Sequence, residues 1–229
     1  MSERGTLLFA RYAYPPNELG YCGPDGAPAL LRADAAEIAR RARRFEGAWS
    51  YLEFIARSAG IADPLDEAVV EAYWIGNHLL DRVDSAGLVA WLRDRFAGQV
   101  GGTWADADGR AVAHHSFQVF EVYPWAAMLR RSASPVAVSV LDRCRIRTGV
   151  VTEVRGETAI VRCRPLVWDG TALVNGPDTD EVVRWSADGR SLLAGLSTGD
   201  RVALHWDWVC DVITHEQAAR IDRYEQHQR

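Results

Sequence analysis

Apolar and polar residues alternate with a period of two in several short runs of the last third of the chain. Two such runs, residues 149–154 and 158–163, flank a turn centred on Gly156, and this arrangement predicts a β-hairpin. A third run, residues 201–206, follows the turn residues Gly199 and Asp200. The pattern therefore predicts a small β-structure with strands at these three places.

Before residue 133 the apolar residues recur at intervals of three and four, which predicts helices. Asp63 and Pro64 are typical of a helix start, and Gly98 to Gly102 of a helix end. The pair Pro15-Pro16 and the glycines that follow it argue against a long helix near the N-terminus. The predicted helices cover residues 28–46, 48–59, 65–83, 85–96 and a segment around 117–129 that is broken or kinked at Pro124.

The change of period across residues 130–135 predicts an α+β protein of two domains. Residues 1–133 would form a helical N-terminal domain, and residues 136–229 a small OB-like β-barrel. A C-terminal helix beginning near Thr214 would close the second domain. The polar stretch 130–135, which ends in proline, is the expected linker.

Charge and hydropathy narrow the range of functions. The chain has 229 residues and a net charge of −5, so it has no basic surface field that would attract nucleic acid or anionic lipid. No stretch approaches the roughly 20 apolar residues of a membrane-spanning helix. We therefore expect a cytoplasmic protein that acts on small molecules or on a protein partner.

Thiols and imidazoles are the candidate ligands. The cysteines at 22, 144, 163 and 210 show no Cys-x-x-Cys spacing, so a zinc finger is not indicated. Three neighbouring arginines, at 143, 145 and 147, would favour the thiolate of Cys144. Cys22 lies on a loop constrained by Gly and Pro. His114 and His115 are adjacent, so at most one of them is expected to point into a site, and we expect that one to share a cleft with Cys22.

The order of residues in the last third resembles that of the small hydrogenase-maturation chaperones of the HypC/HupF type. The matching motifs are Cys144-Arg-Ile-Arg-Thr-Gly149, Gly199-Asp-Arg-Val-Ala-Leu-His205 and the helix over 214–221. The resemblance implies that Cys144 and His205 help to bind iron that carries cyanide and carbon monoxide. It also implies a protein partner, either the large subunit of a NiFe hydrogenase or another maturation protein.

Two further stretches, residues 9–24 and 114–125, are similar to an uncharacterised bacterial family that is loosely associated with NiFe-hydrogenase gene clusters. Three hypotheses remain open at this stage. The first is a maturation factor that binds or shuttles the iron fragment. The second is an enzyme of the same pathway that forms or modifies a diatomic ligand at a metal or a one-carbon donor, with Cys22 and His114 or His115 as its site. The third is a protein-binding module without metal.

Overall fold

The computed structural model describes residues 2–32, 34–96, 107 and 109–229, and it confirms the α+β class. Helices occupy the N-terminal part, a sheet region follows, and a helix ends the chain. The helices are α1 (Glu3–Glu18), α2 (Pro28–Arg32), α3 (Ala35–Ala42), α4 (Glu46–Ala59), α5 (Glu67–Trp74), α6 (Ser85–Arg95), α7 (His115–Phe117), α8 (Pro124–Ser132), α9 (Pro135–Cys144) and α10 (His215–Gln228). The strands are β1 (Arg147–Arg155), β2 (Thr158–Cys163), β3 (Leu166–Trp168), β4 (Leu173–Asn175), β5 (Thr179–Arg184), β6 (Arg201–His205) and β7 (Trp208–Val212).

The expectation that the proline pair excludes a long N-terminal helix is wrong. Helix α1 has 16 residues and contains Pro15 and Pro16 in its last turn. Each proline removes one backbone N–H, so the helix loses only the two hydrogen bonds that positions 15 and 16 would donate to the carbonyls of residues 11 and 12. The helix is stabilised instead by burial of most of its residues and by the Ser2 side chain, which accepts a hydrogen bond from the Gly5 N–H.

Two of the predicted helices are shorter than their apolar pattern suggested. The segment 28–46 divides into α2 and α3, because the Asp34 side chain caps a new helix. Helix α5 is capped by Asp66 rather than started at Pro64, and it ends at Trp74, before Gly76 adopts a φ of 93°. The glycine-rich end expected at 98–102 lies outside the described residues.

Five strands form the barrel, in the order β1-β2-β5-β7-β6, with β6 pairing back to β1. The three predicted strands are confirmed as β1, β2 and β6. The seam between β5 and β7 is a single residue pair, Arg184 and Trp208. Strands β3 and β4 form a separate hairpin, and α10 begins with a capping box at Thr214, where the C-terminal helix was expected.

Helical and barrel residues share the largest apolar core. This cluster joins α1, α4 and α5 to barrel residues such as Ala203, Trp208 and Cys210. The connection between α8 and α9 is short, since α8 runs to Ser132 and α9 begins at Pro135. The division into two domains at 133–136 stays a prediction. Among the described residues, no helix is long and apolar enough to cross a membrane.

Candidate metal centre

A cleft of about 470 Å³ lies where the end of α1, α5, α7, the end of α9 and the end of β6 meet. Two thiols and two imidazoles line it, together with a wall of aromatic rings. Its lining includes Pro16, Tyr21, Cys22, Phe45, Tyr73, Trp74, His115, Tyr123, Trp125, Cys144, His205 and Trp206. Apolar walls with a few convergent polar groups are typical of small-molecule sites of this size.

Three candidate ligand atoms converge in this cleft. One atom each from His115, Cys144 and His205 lies within 4.8 Å of the others, and all three residues are buried. Cys144 is the last residue of α9, His205 the last of β6 and His115 the first of α7. The partial negative charge at the C-terminus of α9 favours a cation beside Cys144.

His205 is held in the form that a metal ligand needs. Its Nδ1 lies 2.7 Å from the Tyr12 carbonyl oxygen, and because a carbonyl only accepts, Nδ1 carries the proton and donates. The Nε2 atom then carries the lone pair. It makes no hydrogen bond of normal geometry among the described residues, although the Cys144 backbone also acts on this ring and raises its pKa. Burial and the neighbouring His115 hold the pKa of His205 well below its usual value. The imidazole is therefore neutral, with one nitrogen available.

Pro16 explains why the Tyr12 carbonyl is available to His205. In a regular helix that carbonyl would accept the N–H of residue 16, four positions later, and proline has none. The His205 Nδ1–H takes the vacant place on the carbonyl. A backbone acceptor for the second ring nitrogen is the usual device that fixes the tautomer of a metal-binding histidine.

His115 is engaged at both ring nitrogens. Its Nε2 lies 2.8 Å from the Cys144 carbonyl oxygen, so Nε2 donates, and its Nδ1 accepts from the Tyr73 hydroxyl at 3.1 Å. Burial lowers the pKa of His115 to about 4. His115 positions Cys144 in this arrangement, and it would have to exchange one of these hydrogen bonds to bind a metal directly.

The proposed metal-ligand role of His114 is not supported by its position, because His114 faces away from the cleft. It is the N-cap of α7, with an extended backbone, and its ring stacks on Tyr224 of α10 at 4.8 Å. Burial lowers its pKa to about 3. The change from extended to helical backbone between positions 114 and 115 turns the two rings in different directions, and only His115 reaches the cluster.

The expectation that flanking arginines favour the Cys144 thiolate is wrong. Burial raises the pKa of Cys144 well above the usual thiol value, and the nearby Cys22 raises it further. Arg145 is turned towards Asp142 and Glu225, and Arg147 towards Glu181. Their charges are neutralised by those carboxylates, so Cys144 is a neutral thiol until a metal displaces its proton.

Cys22 lines the same cleft. Asn17 fixes its loop by donating to the Cys22 and Pro24 carbonyl oxygens, each at 2.8 Å. Gly23 packs against the Phe45 ring, where a Cβ would come within 2.3 Å of it. Burial raises the pKa of Cys22 to about 12. The Cys22 thiol does not belong to the three-atom group found among the described residues.

The arrangement suits a soft or borderline transition metal. Thiolate and neutral imidazole are the donors that such ions select, while alkaline-earth ions prefer oxygen. The buried lone pair of His205 is the observation that fits a metal, because an unsatisfied buried acceptor costs about 1–3 kcal/mol and a coordinated ion would satisfy it. Pattern reasoning from the sequence missed the part played by Pro16, Tyr73, Trp74 and Trp206, which carry no motif of their own.

The family to which the chain belongs has no assigned function. A family model described as a family of unknown function (DUF6390) matches residues 1–229. No curated protein and no solved structure matches the chain. The match extends over the whole length, so the helical part, the barrel and the cleft between them lie within one family unit. The chain is a member of the DUF6390 family.

Proposed function

We propose that this protein is a cytoplasmic accessory factor of NiFe-hydrogenase maturation. It binds an iron fragment with diatomic ligands through Cys144 and His205 and passes it to a partner, the hydrogenase large subunit or another maturation protein. The observation that carries the proposal is the convergence of these two side chains in one cleft. They are 61 positions apart in the sequence, and the resemblance to the HypC/HupF-type chaperones implies both.

The donor chemistry supports iron with such ligands over a hard ion. A thiolate is a strong and polarisable donor, which suits low-spin iron that also carries carbon monoxide and cyanide. The thiolate can also be exchanged from a carrier to a target, as a delivered fragment requires. His205 adds one neutral nitrogen whose orientation is already fixed by Tyr12.

The size of the cleft supports a fragment larger than a bare ion. A single water occupies roughly 30 Å³ of liquid, and the cleft is about 470 Å³. Iron with cyanide and carbon monoxide ligands would occupy part of that space and leave room for a partner side chain to enter. Both ring nitrogens of His115 make hydrogen bonds, so Cys144 and His205 are the two residues left to coordinate the metal. Two protein ligands hold a metal less tightly than three or four, which suits a fragment that must be released.

The direct test is to produce the protein anaerobically with the hydrogenase maturation proteins and to record its iron content and infrared spectrum. We expect bands of iron-bound carbon monoxide and cyanide in the wild type, in a region where protein does not absorb. Cys144→Ala and His205→Gln should lose both the iron and the bands. Maturation of the partner hydrogenase should fall in the same variants.

Cys163→Ala is the matched control, because it removes a buried thiol that lies in the barrel core, away from the cleft. It should retain iron, bands and activity. A Cys144→Ala protein that matures its partner at the normal rate would overturn the proposal. Wild-type protein that carries no iron in the presence of the maturation proteins would overturn it as well.

A further inference from the structure

Two indole N–H groups beside the candidate metal centre have no acceptor. Trp74 and Trp206 line the cleft, and each is at least nine-tenths buried. Within the part of the chain that the structure describes, neither Nε1 has a hydrogen-bond partner. A buried indole N–H usually finds an acceptor, so these two donors and the unpaired His205 Nε2 are three polar groups in the lining of one cleft that a ligand could satisfy.

The backbone of Trp206 is held in a conformation that favours glycine. Trp206 has a φ of 56° and stands at the first position of the two-residue turn that joins β6 to β7. Glycine is ordinarily preferred at such a position, and a large residue there is strained. The turn is fixed by the Trp206 N–H, which donates to the Arg143 carbonyl at 2.7 Å, and by Arg147, which donates to the Trp206 carbonyl at 2.5 Å.

The strained turn places the indole of Trp206 beside the cluster and under Tyr21. The Tyr21 and Trp206 rings stack with centroids 4.1 Å apart. Trp206 directly follows His205 and packs in the same apolar group as Cys144. A glycine at this position would relieve the strain but would remove an aromatic wall and an N–H donor from the cleft.

The Trp74 ring forms a second part of the aromatic lining of the cleft. Its ring lies 4.6 Å from the His115 ring and 5.7 Å from the His205 ring, measured between centroids. It stacks on Tyr12, the residue whose carbonyl fixes His205. Both tryptophans therefore border the space that a group attached to a metal at Cys144 and His205 would occupy.

We propose that the indole N–H groups of Trp206 and Trp74 bind the terminal lone pair of a small anionic ligand on the metal held by Cys144 and His205. The inference rests on the proposed function for the position of the metal, and it adds the residues that recognise one kind of ligand on that metal. That ligand is a small linear anion with a basic outer atom, such as cyanide or azide. The site then selects a metal that carries such a ligand over the bare ion.

Cobalt(II) and azide provide the test, because cobalt bound to thiolate and imidazole reports its ligands in the visible spectrum. Purified protein is first titrated with cobalt(II) and then with azide. We expect Trp206→Phe, which keeps a ring against Tyr21, to leave cobalt affinity within about twofold and to weaken azide binding about five- to tenfold, the effect of one lost hydrogen bond. Trp74→Phe should act in the same direction.

Trp185→Phe is the matched control. Its indole donates to the Gly156 carbonyl at 2.8 Å, outside the cleft, so azide binding should not change. Cobalt binding by each variant shows that its metal site is intact. Equal azide affinity in wild type, Trp206→Phe and Trp74→Phe would overturn the inference and leave the proposed function standing. A wild type that binds no cobalt at Cys144 would instead contradict the proposed function.

Discussion

Two buried polar clusters flank the C-terminal end of α9, and they differ in whether their groups have partners. In the first, Arg145 donates to Asp142, to Glu225 and to the Arg164 carbonyl, and Asp142 also accepts the Leu166 N–H. In the second, the cleft, His205 Nε2 and the Trp74 and Trp206 N–H groups have no partner in the described ranges.

The difference separates a structural network from a binding site. A buried network in which each charge has an opposite charge beside it holds α9, α10 and β3 together and needs no ligand. A buried imidazole with one nitrogen hydrogen-bonded and the other without a partner destabilises the fold, unless a ligand binds the second nitrogen. The same holds for a buried indole N–H without an acceptor. Adjacent residues of one segment, Cys144 and Arg145, thus take part in the two kinds of cluster.

The largest effect on stability is expected in the paired cluster. Arg145→Met keeps much of the side-chain volume but leaves Asp142 and Glu225 buried without their cation, so the free energy of unfolding should fall by about 3–5 kcal/mol. Urea unfolding of the metal-free protein measures this. The control is Arg162→Met, which breaks the exposed pair with Asp180 and should have no measurable effect. Equal stability of the two variants would mean that the Arg145 network is not structural.

Acid should destabilise the metal-free protein next most strongly. Burial holds the pKa of His114 at about 3 and that of His115 at about 4, and that of His205 well below normal. The unfolded chain binds protons at these histidines near pH 6.5, so the stability present above that pH is lost as pH falls towards 4. Each histidine that stays neutral in the folded protein should lower the free energy of unfolding by about 2 kcal/mol at pH 5, relative to pH 8. Urea midpoints between pH 8 and pH 5 check this, and a flat profile would show that these rings are protonated in the folded state.

The smallest effect is expected from replacing Pro16 by alanine, which restores one backbone N–H to α1 and should change metal affinity. Pro16→Ala would offer the Tyr12 carbonyl its helical partner and weaken the hold on His205, so metal affinity should fall about fivefold while stability is unchanged or slightly higher. The measurement is cobalt(II) affinity by competition with a chelator. Pro15→Ala is the control, because its helical acceptor would be the Arg11 carbonyl. Equal loss in both variants would point to a general change in α1 rather than to His205.

The fold class and all three residues of the cluster were among the expectations from the sequence, with His115 as one of two adjacent candidates. Alternation and turn residues located β1, β2 and β6, and the resemblance to the HypC/HupF-type chaperones implied Cys144 and His205. Both residues lie at the ends of regular elements, where a local pattern carries information about position. What the pattern did not contain was the environment of each group, because that depends on residues far away in sequence.

Arg145 shows most clearly what the sequence pattern could not predict. Next to Cys144 in sequence, it appeared to be a cation that would activate the thiol, but its partner Glu225 lies 80 positions away and neutralises it. The choice between His114 and His115 depended in the same way on one change of backbone conformation at the start of α7. The function of Pro16 became visible only when the fold placed His205 beside the carbonyl that the proline leaves free.

The most direct test of the account is a cobalt(II) titration that monitors the thiolate-to-cobalt charge-transfer band. The account predicts one band per chain in the wild type, in Cys163→Ala and in His114→Gln. It predicts no band in Cys144→Ala and at least a hundredfold lower affinity in His205→Gln, since each removes a ligand. A charge-transfer band that persists unchanged in Cys144→Ala would contradict the claim that this cleft is a metal centre built on Cys144 and His205.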